Sequence, residues 1–286
     1  MGMTASKKFI YFISLISISL VLLSCVTTAE VKTNTEEELL YPQETYIDPL
    51  IQWQKVNEGI YRSDFSSPTI KLIYHLVKID LNAQNMDIAY YPDRSLKDQS
   101  IFMGKKTKNF ARENNCTVAF NTTPFERVNL LKVKLVGIHK AQDILYSAPV
   151  EKYSALAFKD NRAYLIQNQN YKINQYDYIF GGFFTILCNG EIRDFTVHSY
   201  DSRTAVGIAQ DGEVIYILAV EGEKKGHSLG MSYQMCARLL KSLGCSDAIE
   251  MDGGSSTDLI VNGRSVLTYH AMIPQAASIG FRKLEE

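Results

Sequence analysis

The sequence predicts an α+β domain, largely antiparallel β-sheet with a few packed helices, and three observations predict it. Asp160-Asn161, Asn189-Gly190, Asp211-Gly212 and Asn262-Gly263 each lie between short apolar runs, and such pairs tolerate the positive φ of tight hairpins. Only Ser232 to Leu243 carries a long helical stripe, with Met235, Leu239 and Leu243 at four-residue spacing and Cys236 and Leu240 beside them. The other apolar runs are short and bounded by turn residues, so they read as strands. Hairpins in series with few helices point to antiparallel pairing.

The elements follow in order. Lys7-Lys8, the apolar stretch Phe9 to Leu23 and the ending Leu22-Leu23-Ser24-Cys25 predict a secretory leader over 1–24. The apolar part is shorter than the roughly 20 residues that cross a bilayer, although an uncleaved anchor helix is an alternative. The ending resembles a bacterial lipobox, which implies lipid on Cys25, a membrane-attached chain and a place in the bacterial cell envelope. Residues 25–50, rich in Thr and Glu, predict a flexible tether, and 51–286 a single domain. The 286 residues are 46% hydrophobic and 21% charged, with a formal net charge of −1. That is a globular composition without the basic excess that nucleic acid calls for.

Trp53, the only tryptophan, reads as a core or edge anchor. Ile70 to Asp80 and Met86 to Tyr91 read as strands, Ile101 to Glu113 as a modest helix, and Cys116 to Phe120 as a buried strand ending at Asn121-Thr122-Thr123-Pro124-Phe125. Hairpins are expected at Ala155–Phe158/Ala163–Ile166, at Gly181 to Cys188 before Asn189-Gly190, at Thr204–Gln210/Val214–Val220, and at Leu259–Val261/Val266–Leu267. Ile279 to Arg282 reads as a closing edge strand. Ser232 is placed to cap the helix and Gly244 to end it.

The chemistry gathers at Ala248-Ile249-Glu250-Met251-Asp252-Gly253-Gly254-Ser255-Ser256. A buried strand there gives way to a carboxylate, two glycines and hydroxyls, a set suited to an oxygen-rich ligand. A turn in which Asp and Ser satisfy the backbone explains the same residues. Ser202-Arg203-Thr204-Ala205-Val206-Gly207, Asp211-Gly212, Gly230-Met231-Ser232 and Asp252-Gly253-Gly254-Ser255-Ser256 occur in that order. In this the chain resembles the phosphodiester glycosidase family, well from about Ser202 to Gly263 and more loosely from Tyr74 to Gly190. It departs from the family pattern at Thr122-Thr123-Pro124, at Glu221-Gly222-Glu223 where many relatives have Asp-Gly-Arg, and at Ser255 where Gly is usual.

The resemblance implies an exported hydrolase that cleaves the glycosidic bond of a sugar-1-phosphodiester, such as an N-acetylglucosamine-1-phosphodiester glycan. A phosphate monoester leaves readily, so the enzyme must mainly hold phosphate, stabilise an oxocarbenium-like transition state and supply water. The expected catalytic residues are Asp252 as base or nucleophile, Glu250 as its partner or the reacting group, Glu221 as a site acid, and Arg203 as a planar fork for phosphate. Asn121, Gly181, Gly182, His198, Thr204, Gly253, Gly254, Ser255 and Ser256 are the expected substrate contacts. For Asn121 a turn cap, for Gly181-Gly182 close packing, for His198 a structural role and for Glu221 a plain loop charge are the competing readings. No Cys-x-x-Cys or clustered His suggests zinc, and no cofactor is expected. A hard cation such as calcium on Asp252 stays an alternative. A non-catalytic glycan-binding lipoprotein, or hydrolysis of an ordinary glycoside, are the competing functions.

Overall fold

The computed structural model describes residues 50–284 apart from 197, 225, 270 and 272. The leader, Cys25 and all but the last residue of the tether lie outside these residues. No helix among the described residues is long and apolar enough to cross a membrane.

Sheet dominates, and every pairing between the strands described is antiparallel. The largest sheet has eight strands in the order Gln54–Asn57, Ile60–Ser67, Leu72–Asp80, Val214–Glu221, Arg203–Ala209, Cys245–Glu250, Thr185–Cys188 and Glu191–Ile192. Arg203–Ala209 and Val214–Glu221 are buried at every residue, because both faces of the sheet are covered. One face carries Val77, Ile79, Val206, Ile208, Ile215, Ile217 and Ile249. They pack against Phe120, Ile279 and Phe281 of a five-stranded sheet and Leu156, Phe158 and Phe180 of another.

Two α-helices are described, α1 (Thr107–Glu113) and α2 (Tyr233–Ser242). Helix α2 covers the second face of the large sheet. Ser232 caps it by accepting the Met235 N–H at 3.2 Å. It approaches closely at Gly207, where a Cβ would lie 2.5 Å from Cys245 Sγ and 3.0 Å from Leu240 Cδ2. Trp53 packs on Tyr216 with ring centroids 5.9 Å apart.

Three expected hairpin turns form with two-residue loops. Lys159 pairs with Arg162, Cys188 with Glu191 and Val261 with Arg264, and all six loop residues have positive φ. The Asp211-Gly212 loop is longer, because Ala209 pairs with Val214 and Gln210 joins Asp211 at positive φ. After Asn262-Gly263 the partner strand is Arg264–Ser265, earlier than Val266–Leu267.

The helix predicted over 101–113 begins only at Thr107. Phe102–Met103 instead joins a small sheet with Phe125–Arg127 and Lys132–Leu135, and Gly104 N–H donates to Leu131 O at 2.8 Å. Gly181 to Cys188 is not one strand. Tyr178–Gly181 and Thr185–Cys188 belong to different sheets, and the chain crosses between them at Gly182-Phe183-Phe184. Ser278–Lys283 is interior rather than an edge, since it pairs with both Val118–Asn121 and Met86–Tyr91.

Candidate active site

Strand alternation separates the expected catalytic residues between the two faces of the large sheet. Ala205 pairs with Glu250 and Arg203 lies two residues from Ala205, so Arg203 and Glu250 share the face covered by α2. Glu221 lies two residues beyond Ala219, on the core face.

On the α2 face, Glu250 is 1% exposed. Neither of its carboxyl oxygens has a hydrogen-bond partner among the described residues. Arg203 Nη1 stands 3.8 Å from Glu250 Oε1, beyond hydrogen-bond length. Burial pushes the Glu250 carboxyl up to about 8, against the pull of Arg203 and with a further push from Asp201 and Asp252. A charged Glu250 is the weaker alternative, because an ionised carboxylate without a single donor is costly to bury. Glu250 is therefore neutral at pH 7 in this arrangement.

Arg203 is also buried, and its fork is already occupied. Nε donates to Met231 O and Nη2 to Ser199 O, both at 3.0 Å. Its plane lies over the Tyr233 ring, 4.2 Å from the centroid. The expected bidentate grip on phosphate is therefore not available here. Two of its three nitrogens tie the segment before its own strand, at Ser199, to the approach to α2, at Met231.

Asp252 follows Met251 at the turn. Its N–H donates to Thr122 O at 2.9 Å, and its C=O accepts from Asn121 Nδ2 at 2.6 Å. As a residue it is partly exposed. Burial pushes its carboxyl up to about 7, with the Ser256 hydroxyl pulling the other way. Two nearby carboxyl groups held protonated or half-protonated near neutral pH are a frequent mark of acid–base sites. Gly253 is the thin wall beside them. A Cβ there would lie 3.3 Å from Glu250 Oε1 and 3.0 Å from Ser202 O. Gly254 has φ +58° and donates to Ser202 O at 2.8 Å. Ser255 is exposed and Ser256 buried.

Asn121 and Thr204 are spent on structure, a correction to their expected role as ligand contacts. Asn121 is wholly buried. Its Oδ1 accepts Thr204 Oγ1 at 3.1 Å and Asp258 N–H at 3.0 Å, so its amide clamps three segments together. Gly181 and Gly182 are likewise packing residues. A Cβ at Gly181 would lie 2.7 Å from Ile138 O, and one at Gly182 2.5 Å from Glu250 O. His198 is exposed, on the segment that leads into Arg203.

Glu221 heads a separate network on the core face. Oε1 meets His75 Nε2 at 3.2 Å and accepts Thr268 N–H at 2.7 Å, while Oε2 meets His227 Nε2 at 3.1 Å and the Thr268 hydroxyl. His75 Nδ1 meets Asp64 Oδ1 at 2.6 Å. Burial alone would raise Glu221, but His75 and Thr268 outweigh it and hold the carboxyl down at about 2. Burial would lower His75, yet Asp64 and Glu221 prevail and raise it. Glu221 is therefore the anionic centre of a structural ion network, not a second acid beside Glu250. His75 could have been found in the sequence, since it interrupts the apolar run Leu72 to Val77 on the core side. Tyr269, which donates to Ser202 or accepts from it at 2.8 Å, left no signal there. Among the described residues no group of three or more His, Cys, Asp or Glu is placed to hold a metal ion.

A family model described as phosphodiester glycosidase matches residues 114–281. No curated protein matches the chain. Among solved structures, the fold is similar to a hypothetical protein from Synechocystis, at a TM-score of 0.65 and 15% identity. That match covers 82% of this chain and 64% of the other, so the chain spans less than two thirds of that protein's length. The fold is also similar to the catalytic domain of zebrafish N-acetylglucosamine-1-phosphodiester alpha-N-acetylglucosaminidase, there auto-inhibited by its pro-peptide. The TM-score is 0.59 at 16% identity, over 82% of this chain and 85% of that one. A candidate exported protein from Burkholderia pseudomallei gives a TM-score of 0.55 at 13% identity, over 73% of this chain and 74% of that one. At such identities the likeness is one of fold.

Proposed function

The chain belongs to the phosphodiester glycosidase family, and on that premise we propose that it hydrolyses the glycosidic bond of a sugar-1-phosphodiester outside the cytoplasm. The observation that carries this reading is the pair Glu250 and Asp252, two carboxyl groups with raised pKa values at the turn where strand Cys245–Glu250 ends. Asp252 is the partly accessible member and titrates near neutrality. It acts on water as general base, or on the anomeric carbon as nucleophile. Glu250, closed in and neutral, keeps the local charge low so that Asp252 alone ionises, and Arg203 adds a fixed positive charge 3.8 Å from Glu250. The exposed Ser255 and the backbone N–H of Gly253 take the sugar or phosphate oxygens, the Gly254 N–H being held by Ser202 O.

Attachment to the cell envelope through Cys25 belongs to the same proposal. Its support is the lipobox-like ending of the leader, together with the similar fold of the candidate exported protein from Burkholderia pseudomallei. The substrate class takes its support from the family and from the zebrafish enzyme's own substrate. A second reading, a glycan-binding protein without turnover, draws on the occupied Arg203 fork. Release of free sugar from an N-acetylglucosamine-1-phosphodiester by the purified chain distinguishes the two. Binding without release in the wild type means that the second reading holds.

A further inference from the structure

We infer that the hairpin Phe125–Arg127/Lys132–Leu135 is a membrane-docking element whose tip enters the interface of an anionic bilayer. Large apolar side chains exposed one at a time are ordinary, but here they gather. Ile101, Met103, Val128, Leu130 and Leu131 are 43%, 48%, 48%, 80% and 55% exposed. Met103 pairs directly with Lys132 across the small sheet, so the group is contiguous along one hairpin and its neighbour strand.

The tip is held in this pose rather than loosely exposed. Asn129 Oδ1 accepts the N–H groups of Leu131 and Lys132 at 3.0 and 2.9 Å, and Val128 N–H donates to Lys132 O at 2.9 Å. Leu131 O accepts from Gly104 N–H at 2.8 Å. Behind the tip, Val133, Leu135 and Phe102 face the core, so the hairpin is anchored while Leu130 and Leu131 point away.

The charges select the occupant. Arg127, Lys132 and Lys134 are exposed on the hairpin, against Glu126 alone. An aliphatic tip backed by cations suits the acyl boundary and anionic headgroups of a lipid surface. A protein partner would favour aromatic residues and few lysines at the centre of contact. A second copy docked hairpin to hairpin would bring like charges together.

The element also lies close to the candidate site. It leaves strand Val118–Asn121 through Thr122-Thr123-Pro124, and Thr122 O accepts the Asp252 N–H. Membrane contact and the Asp252 turn therefore share one strand end. Docking of this hairpin does not depend on the glycosidase reading.

The test uses the full chain carrying an environment-sensitive fluorophore on Leu130→Cys, with Tyr171→Cys, itself 60% exposed, as the control position. The signal of the chain without an introduced cysteine is subtracted. With vesicles of phosphatidylcholine and phosphatidylglycerol, the probe at 130 should shift to the blue and be quenched by a quencher on the lipid chains, and the probe at 171 should not. Lys132→Glu with Lys134→Glu should weaken the quenching at 130 severalfold, a local readout that attachment through Cys25 does not supply. Melting curves check that each variant folds. No quenching at 130, or equal quenching at 130 and 171, overturns the proposal. A blue shift that rises with protein concentration in the absence of vesicles overturns it in favour of a second copy.

Discussion

Arg203 and Glu250 face each other at 3.8 Å without a hydrogen bond, and both are almost completely shut from water. The cation is satisfied elsewhere, by the carbonyls of Met231 and Ser199, and the acid has no hydrogen-bond partner among the described residues. This asymmetry sets the first prediction. Glu250 has a folded pKa of about 8 against an ordinary 4.5. Below about pH 4.5 it is protonated folded and unfolded, so its favourable contribution is fully present there. From 4.5 to 8 the unfolded chain ionises and the folded one does not, so stability falls as pH rises. Glu250→Gln removes that slope. The variant should match the wild type near pH 5 and exceed it at pH 8 by a few kcal/mol, since each tenfold step in the protonation equilibrium is worth about 1.4 kcal/mol. Urea unfolding at the two pH values measures this, and parallel stability curves would contradict a neutral Glu250.

Asp252→Asn should lower kcat on a sugar-1-phosphodiester by about 10² to 10⁴, while its melting temperature at pH 7 should rise rather than fall, because burial also raises this carboxyl and the variant has no charge to bury. The acid limb of the wild-type kcat/KM profile should fall near pH 7, the value to which burial brings Asp252, because activity needs its ionised form. An acid limb near pH 4, or a folded variant with normal kcat, removes Asp252 from the reaction.

Arg203→Lys should cost stability as well as rate. Lysine cannot serve Met231 O and Ser199 O at once while lying flat over Tyr233. A buried carbonyl left without its donor costs about 1–3 kcal/mol. Chemical denaturation reads this directly. A variant of wild-type stability that has lost only affinity for the phosphate group would instead restore the fork role.

His75→Gln should destabilise by about 3–5 kcal/mol at pH 6, since it leaves Glu221 buried beside fewer donors. His75 is raised by its two carboxylates, so its contribution is complete below about pH 6.5 and fades as pH rises through its folded pKa. The gap between variant and wild type should therefore narrow above neutrality, whereas a gap independent of pH would show that only packing was lost.

Much of the fold was legible because the side chains that specify it act locally. Asp160-Asn161, Asn189-Gly190 and Asn262-Gly263 set their own turn geometry, and Ser232 caps its own helix. The errors fall where distant chain decides. Nothing near Ile101 announces that Phe102 and Met103 will pair with Lys132 and Val133, and nothing near Ile279 shows that strands wait on both sides of it. At the site, the spacing of Glu250 and Asp252 was readable. The division between Arg203 and Glu221 was hidden, because it depends on the register of one strand pair, where Arg203 lies opposite Val220.

That register has a consequence for how such a chain tolerates insertions and deletions. Strands Arg203–Ala209 and Val214–Glu221 are joined by Gln210 to Glu213, and a residue gained within that loop leaves both strands as they are. One gained between Val214 and Val220 would turn Glu221 toward helix α2 and away from His75, because side chains alternate faces at every step. Gain or loss of two residues would preserve the facing. Length variation among descendants of this chain should therefore collect in the loop and be absent, or even-numbered, within the strand.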